Sequence, residues 1–356
     1  MKILYGVQAT GNGHITRARV IAPILRRRGV DVRFLFTGRP WEHLFDMEVF
    51  GDCDWRRGLT FATRSGHVQY LRTAFRNDLI GFVRDVRTLD LSPYDLVVTD
   101  FEPVTAWAAK LQGAKSIGIG HQYAFNYPIP RTGDDVLARN VMKYFAPASI
   151  GLGLHWHHFD QPILPPIIET PADPEHVRQD KIVVYLPFED IRAIVHLLEG
   201  FKSYQFHVYS SSPCSRKPEH IHIRPLSRLG FQDDFRDCSG VICNAGFELA
   251  SEALQMGKKL LVKPLRAQME QLSNALALEQ IQLGAVMPDL DEASVAYWLK
   301  NGSAHRVIYP NVAEAVVEWM LAGDPRIDQE WVRSVWDRVV YQRMNDDLSP
   351  ALVRYA

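Results

Sequence analysis

The sequence predicts an α/β protein built from two doubly wound domains in tandem. Three observations carry that prediction. Short apolar runs rich in Val and Ile alternate with amphipathic stretches of helical period, the pattern of a parallel sheet covered by helices. A proline-rich interruption between His157 and Lys181 splits this alternation into two sets. The 356 residues also exceed what one hydrophobic core usually organises.

In the first set, KILYGV reads as a buried strand, and HITRARVIAPILRRRG reads as a helix closed by Gly29. Its Ile15, Ala18, Ile21 and Leu25 share one face. DVRFLFTG is the next strand. A long amphipathic pattern then runs through Leu71, Phe75, Leu79, Phe82, Val86 and Leu89, with Arg72, Arg76, Arg84 and Arg87 between. Strand DLVVTD (95–100), helix VTAWAAKLQG and strand SIGIG (116–120) follow. The interruption FDQPILPPIIETPADPEH holds Pro162, Pro165, Pro166, Pro171 and Pro174, which suits a stiff linker. KIVVYL restarts the alternation. Helix 189–199, strand YQFHVYS, a short strand at 221–224, strand GVICNAG, helix 247–256, strand KLLVKP and helix 269–280 come next, then two or three terminal helices. The expected bounds are 1–160 and 181–330 for the domains, 161–180 for the linker, and 331–356 for a terminal helix packing back on the first domain. Ligands of such sheets lie at the carboxyl ends of the strands, so the cleft between the domains is the expected site.

Composition narrows the class. With 47% apolar and 23% charged residues the chain is of soluble globular type. It has no apolar run of about 18 residues that would span a membrane, and a strand at Lys2–Tyr5 leaves no room for a signal peptide. Cys53, Cys214, Cys238 and Cys243 lack metal or disulfide spacing, so the expectation is a reduced, cytoplasmic protein. Residues 1–160 carry 20 basic and 15 acidic side chains, whereas 161–356 carry 20 and 26. An excess of that size is too small to argue for nucleic acid and no nucleic-acid motif accompanies it, so no nucleic-acid partner is expected. With the Arg-studded 71–89 stretch the excess allows peripheral contact with a phospholipid surface or an anionic acceptor.

Two stretches carry chemistry. In GNGH, Gly11 and Gly13 let the first strand-to-helix turn bend tightly and approach a ligand. Position 16 is threonine, so the GxGxxG dinucleotide fingerprint is absent, and nicotinamide or flavin binding is disfavoured. His14 opens the helix, and Asp100 ends another strand delivered to the same edge. A carboxylate there can fix the imidazole tautomer and stabilise its protonated form, which makes a general base. The structural alternative for Asp100 is a helix N-cap. Glu102, two residues on, is a second candidate base. In NAGFELASEALQMGKKLLVKPLRAQMEQLSNAL, Ala245, Gly246 and Phe247 start a helix whose free N–H groups suit a phosphate. Glu252, two turns along, can take paired ribose hydroxyls. Glu270 and Gln271 open the next helix, where they can bond sugar hydroxyls or simply cap. The HWHH run at His155–His158 is a metal candidate, but it abuts the linker.

Together these stretches resemble the UDP-glycosyltransferase superfamily of GT-B fold, both its glucuronosyltransferase-like branch and its peptidoglycan lipid-intermediate N-acetylglucosaminyltransferase branch. Those families show a small residue and glycine, a glutamate six residues after that glycine, Gly-x-Pro, then Asp/Gln-Gln-x-x-Asn-Ala. Here the positions read Ala245-Gly246, Glu252, Gly257-Lys258-Lys259 and Glu270-Gln271-Leu272-Ser273-Asn274-Ala275. GNGH matches their glycine-rich turn and base, and DLVVTDFEPVTAWAAKLQGAKSIGI matches the strand ending in the partner aspartate. The chain departs from the pattern at Lys259 (for proline), Leu249 (for Ser or Thr), Glu270 (for aspartate) and LPFED (for a Gly-Ser-rich turn), so neither the diphosphate contacts nor the choice of sugar carries over. The resemblance implies two Rossmann-like domains facing a central cleft, and an inverting, metal-independent hexosyltransferase needing no cofactor. A nucleotide-sugar donor, most readily a UDP-sugar, would bind through Gly13, Ala245, Gly246, Phe247, Glu252, Glu270 and Gln271. The sequence leaves the acceptor open among small molecules, glycans and lipid-linked sugars. The rival readings are a UDP-sugar 2-epimerase and a nucleotide-sugar-binding protein without turnover.

Overall fold

The protein is described by a computed structural model. It covers residues 1–356 except 61–62, 65–66, 69–77, 134, 170–175, 215, 324, 345–349 and 353–356, and gives backbone alone at 63–64, 67–68, 137, 343–344 and 350–352. The first unit begins β1 (Lys2–Gln8), α1 (Asn12–Arg27), β2 (Asp31–Thr37) and β3 (Cys53–Trp55), followed by a small hairpin of β4 (Thr63–Arg64) and β5 (His67–Val68). It continues α2 (Leu79–Thr88), β6 (Leu96–Asp100), α3 (Pro103–Gln112), β7 (Ser116–Gly120), α4 (Val136–Tyr144) and β8 (Ile150–Gly153). The strands pair in the order β3-β2-β1-β6-β7-β8, all parallel. Strand order reverses between β1 and β6, so a crevice opens at their carboxyl ends.

Helix α1 buries the predicted face, Ile15, Ala18, Ile21 and Leu25, and is closed by Gly29 at φ 71°. The amphipathic pattern expected from Leu71 appears as α2 from Leu79 onward; Leu71 to Asn77 lie outside the described residues. Gly6 in β1 sits beneath the Glu102 and Thr105 side chains, where a Cβ would collide with both.

The second unit repeats the plan with β9 (Arg178–Tyr185), α5 (Ile191–Leu198), β10 (Gln205–Tyr209), β11 (Ile221–Arg224), α6 (Arg228–Asp237), β12 (Cys238–Asn244), α7 (Phe247–Gln255), β13 (Lys259–Lys263), α8 (Met269–Gln280) and β14 (Ala285–Val286). Its parallel part runs β11-β10-β9-β12-β13, with β14 on β13. After α9 (Glu292–Asn301) come β15 (Ala304–Ile308), α10 (Val312–Leu321), α11 (Gln329–Trp336), β16 (Val340–Met344) and β17 (Pro350–Leu352). The last three strands extend the sheet antiparallel.

Three sequence expectations change. The terminal helix expected over 331–356 ends at Trp336, because Val339, Val340 and Tyr341 favour a strand that pairs with β15. Helix α11 lies against the start of the linker and the end of the stretch before it: Trp336 Nε1 donates to Ile163 O at 2.6 Å, and its ring lies edge-on to His158. Helix α6 was not expected. It carries few apolar residues and is anchored by a Ser227 cap and an Asp234–Lys181 ion pair of 2.8 Å. The proline-rich stretch is more than a spacer. Leu164 and Ile167 are buried in a core cluster that also draws on both sheets, Ile163 is buried in a second cluster with Phe125, Ile129 and Met269, and β9 begins at Arg178 rather than 181. Pro171 and Pro174 lie outside the described residues.

Helix α1 also ties the two units together. Arg27 and Arg28 at its end bond Glu314 of α10, and Arg17 in its first half bonds Glu248 of α7.

Candidate active site

Register places the first pair. β1 and β6 are neighbours with Val7 opposite Asp100, so Asp100 ends its strand beside the turn that leads into α1. His14 Nδ1 lies 2.6 Å from Asp100 Oδ1 and donates to it, leaving Nε2 toward the cleft without a partner among the described residues. The ring backs onto Phe101, nearly parallel at a centroid distance of 6.5 Å; Phe101 holds φ 51° between Asp100 and Glu102.

Sequence reasoning missed Arg17, which is 1% exposed. Its Nε and Nη2 donate to the two oxygens of Asp100, at 2.8 and 2.6 Å, and Nη1 donates to Glu248 of the second unit. Burial pushes the Asp100 pKa upward. The Arg17 charge and the hydrogen bonds from His14 and Arg17 outweigh that push and hold it below the usual carboxylate range. The available signal was an arginine three residues after the histidine, on a face otherwise apolar.

Glu102 is not a base candidate in this fold. It is fully buried and caps α3, accepting from Val104 N (2.7 Å), Thr105 N (2.6 Å), Thr105 Oγ1 (2.7 Å) and Thr37 Oγ1 (2.9 Å). The cap weighed for Asp100 is therefore Glu102, and its oxygens are turned away from the cleft by the helix they satisfy.

Across the cleft, Ala245 is buried and Gly246 is the N-cap of α7, with nothing within 4 Å of where its Cβ would be. Phe247, expected to face the donor, is 3% exposed. It stacks on His121 of the first unit at 4.2 Å and 5°, so only its backbone N–H is available. His121 Nε2 faces Asn274 Oδ1 at 2.6 Å, and burial pushes its pKa down to about 4, so this interdomain stack is uncharged. Gly13 does not open on the donor side either: a Cβ there would lie 3.2 Å from the Glu248 carboxylate.

Glu252 is half-buried and makes no side-chain hydrogen bond among the described residues. Burial first, then the nearby Glu248 and Glu169, push it up to about 8 against the pull of Arg228. Glu270 accepts from Gln122 Nε2 at 3.1 Å. It is raised by burial, with His14 drawing it the other way, which marks the two as facing across the cleft. Gln271 is buried, and its Oε1 accepts from Leu265 N at 3.0 Å, so it braces its own loop.

The helix starts sort into two sets. Among the described helices, α2 to α6 and α9 to α11 each begin with a side chain accepting a backbone N–H: Asp78, Glu102, Asp135, Asp190, Ser227, Asp291, Asn311 and Asp328. α1, α7 and α8 begin at Gly11, Gly246 and Gln268 with no such cap. These three follow β1, β12 and β13 at the carboxyl edges that border the cleft, where free N–H groups suit anionic or hydroxyl ligands. The LPFED turn is not open in this way. Glu189 pairs with Lys263 at 2.7 Å, and Asp190 caps α5. The HWHH histidines act locally: Nδ1 of His155, His157 and His158 accept from Trp156, Phe159 and Asp160 N, each at 2.9 Å. No group of three His, Cys, Asp or Glu among the described residues is placed to hold a metal.

Two facing sheets of Rossmann strand order, with uncapped helix starts on both walls of the cleft, define a group-transfer enzyme of GT-B fold. The profile of glycosyl transferase family 1 matches residues 1–302, and the chain belongs to that family. No curated protein matches the chain. Among solved structures it is similar to the spinosyn rhamnosyltransferase SpnG complexed with thymidine diphosphate, at 13% identity, covering 85% of this chain and 92% of that one with a TM-score of 0.58. It is also similar to the glycosyltransferase SsfS6 of Streptomyces sp. SF2575 complexed with thymidine diphosphate, at 13% identity, 84% and 90% coverage and TM-score 0.53. A third is MurG of Acinetobacter baumannii, at 13% identity, 95% and 94% coverage and TM-score 0.50. At such identities the likeness is one of fold. The protein is a glycosyltransferase.

Proposed function

We propose that this enzyme transfers a sugar, with inversion, from a nucleoside-diphosphate sugar to an acceptor hydroxyl held by the first domain. The observation that carries the reading is the His14–Asp100 contact, which leaves Nε2 free opposite the open start of α7. The acceptor hydroxyl gives its proton to Nε2, and its oxygen attacks the anomeric carbon in line. The bond to the diphosphate then breaks, and the N–H groups at Gly246 to Glu248 receive the charge of the leaving group without a metal. Asp100 holds the Nδ1–H tautomer throughout.

The nucleotide is proposed to be uridine diphosphate, because Glu252 offers an unpartnered carboxylate to two adjacent ribose hydroxyls. Two neighbours hold thymidine diphosphate, whose deoxyribose lacks one of those hydroxyls, so the two nucleotides separate the possibilities. UDP is expected to bind more tightly than dTDP. Glu252→Ala should weaken UDP by roughly 1.5–3 kcal/mol, the range for a hydrogen bond to a charged group, and erase the preference. Because burial pushes Glu252 up to about 8 and ribose hydroxyls favour its ionised form, UDP binding at pH 7 should release protons. Calorimetry in buffers of different ionisation heat measures both. Equal affinity for the two nucleotides, unchanged in the variant, would take Glu252 out of the site.

Contact with anionic lipid is proposed for α2. Leu79, Ile80 and Val83 are exposed on it beside exposed Arg84 and Arg87, an apolar strip flanked by cations. No helix among the described residues is long and apolar enough to cross a membrane. Co-sedimentation with phosphatidylserine vesicles, and not with phosphatidylcholine vesicles, is expected, and Ile80→Glu should abolish it. Equal pelleting with both vesicle types, or none, would reject the contact.

A further inference from the structure

We propose that Arg17 is a positioning residue through which Glu248, a carboxylate of the opposite domain, sets the strength of the His14 base. The proposal rests on the reading of His14 as the base. Arg17 grips both oxygens of Asp100 with Nε and Nη2, while Nη1 reaches Glu248 in the first turn of α7. Gly13 makes room for this contact, since a side chain there would meet the Glu248 carboxylate.

Charge decides what the contact does. Asp100 and Arg17 alone form a neutral pair, and because Arg17 Nη2 also lies 3.0 Å from His14 Nδ1, its charge offsets much of the hold Asp100 has on an imidazole proton. With Glu248 added, the cluster of two carboxylates and one guanidinium carries −1 and stabilises the imidazolium that forms as the acceptor loses its proton. The other groups facing His14 and Asp100 stay as they are when Glu248 is changed. Tyr5 and Tyr123 are buried phenols pushed upward by burial and stay neutral. Phe101 is apolar, and Glu270 of α8, coupled to His14 and bonded to Gln122, is a background common to wild type and variant. Since Glu248 belongs to the helix whose open start faces the donor in the proposed reaction, docking α7 on α1 presents the donor and strengthens the base together.

The test follows the His14 imidazole by NMR across pH, in the full chain labelled at histidine and saturated with UDP, with His14→Gln as the assignment control. Glu248→Gln, at a side chain 15% exposed, removes the charge without emptying a buried site. Its His14 titration is expected to move to lower pH than in the wild type. Arg17→Lys, which keeps the cluster at −1, is expected to leave it close to the wild-type position, and a shift as large as that of Glu248→Gln would overturn the charge argument. A merely structural role would change the melting temperature and leave the titration in place. An unchanged titration in Glu248→Gln, or one moved to higher pH, overturns the proposal. Full transfer activity in His14→Ala would instead overturn the base reading, leaving any titration difference standing.

Discussion

Replacing His14 by alanine is expected to lower turnover by roughly 10²–10⁴-fold, the span for loss of a general base, while UDP binding is kept. The separation follows from placement: His14 opens α1 in the first domain, and the proposed nucleotide contacts lie on α7 in the second. Turnover in the wild type should fall on the acid side as the imidazole takes up a proton and loses its acceptor lone pair. Asp100→Asn should also lose most turnover. Its amide cannot stabilise the imidazolium, and it weakens the grip of Arg17. Glu102→Gln measured alongside is the control, because that residue caps α3 and faces away from the cleft. The expected result for it is kept turnover with a lower melting temperature. If Glu102→Gln abolishes turnover while His14→Ala retains it, the assignment of the base is wrong.

Arg17→Ala is expected to cost about 3–5 kcal/mol of stability, the range for removing one partner of a buried ion pair. Asp100 is fully buried, so the variant would hold a carboxylate that has lost both Arg17 hydrogen bonds and keeps only that from His14. The pH dependence carries the sign. In the wild type the folded pKa of Asp100 is depressed, so its contribution is present above the unfolded value of about 3.9 and is lost as pH falls through the folded value. In the variant Asp100 can protonate at low pH and escape its penalty. The gap between the two proteins should therefore be widest near neutrality and narrow below about pH 4. Urea unfolding at both pH values measures it. Equal midpoints at neutral pH would show that the Arg17–Asp100 pair contributes nothing to the fold.

The strand-helix alternation, the glycine turn before His14 and the strand end at Asp100 were all readable from the chain. Each depends on residues close in sequence, and parallel strands of one sheet deliver their carboxyl ends to one edge whatever their separation. The Ala245-Gly246 helix start was readable for the same reason. Helix α6 was not, since its apolar stripe is only Phe231 and Phe235, packed on the core, and an ion pair to β9 supplements it.

What tertiary structure alone decided were the partners of side chains whose local pattern is ambiguous. Arg17 looks like any helix arginine until Asp100, 83 residues on, and Glu248, 231 residues on, are brought against it. In sequence Asp100 reads as the partner of His14 or as a helix cap, and Glu102 as a second base. α3 offers its N–H groups to Glu102 and not to Asp100. Phe247 reads as a donor contact until His121 of the other domain covers its ring. The sequence by itself determined which residue types reach the cleft edge, because backbone periodicity is local. Which of them face a ligand and which hold the walls together was decided by long-range packing, because burial and pairing depend on neighbours that only the folded chain supplies.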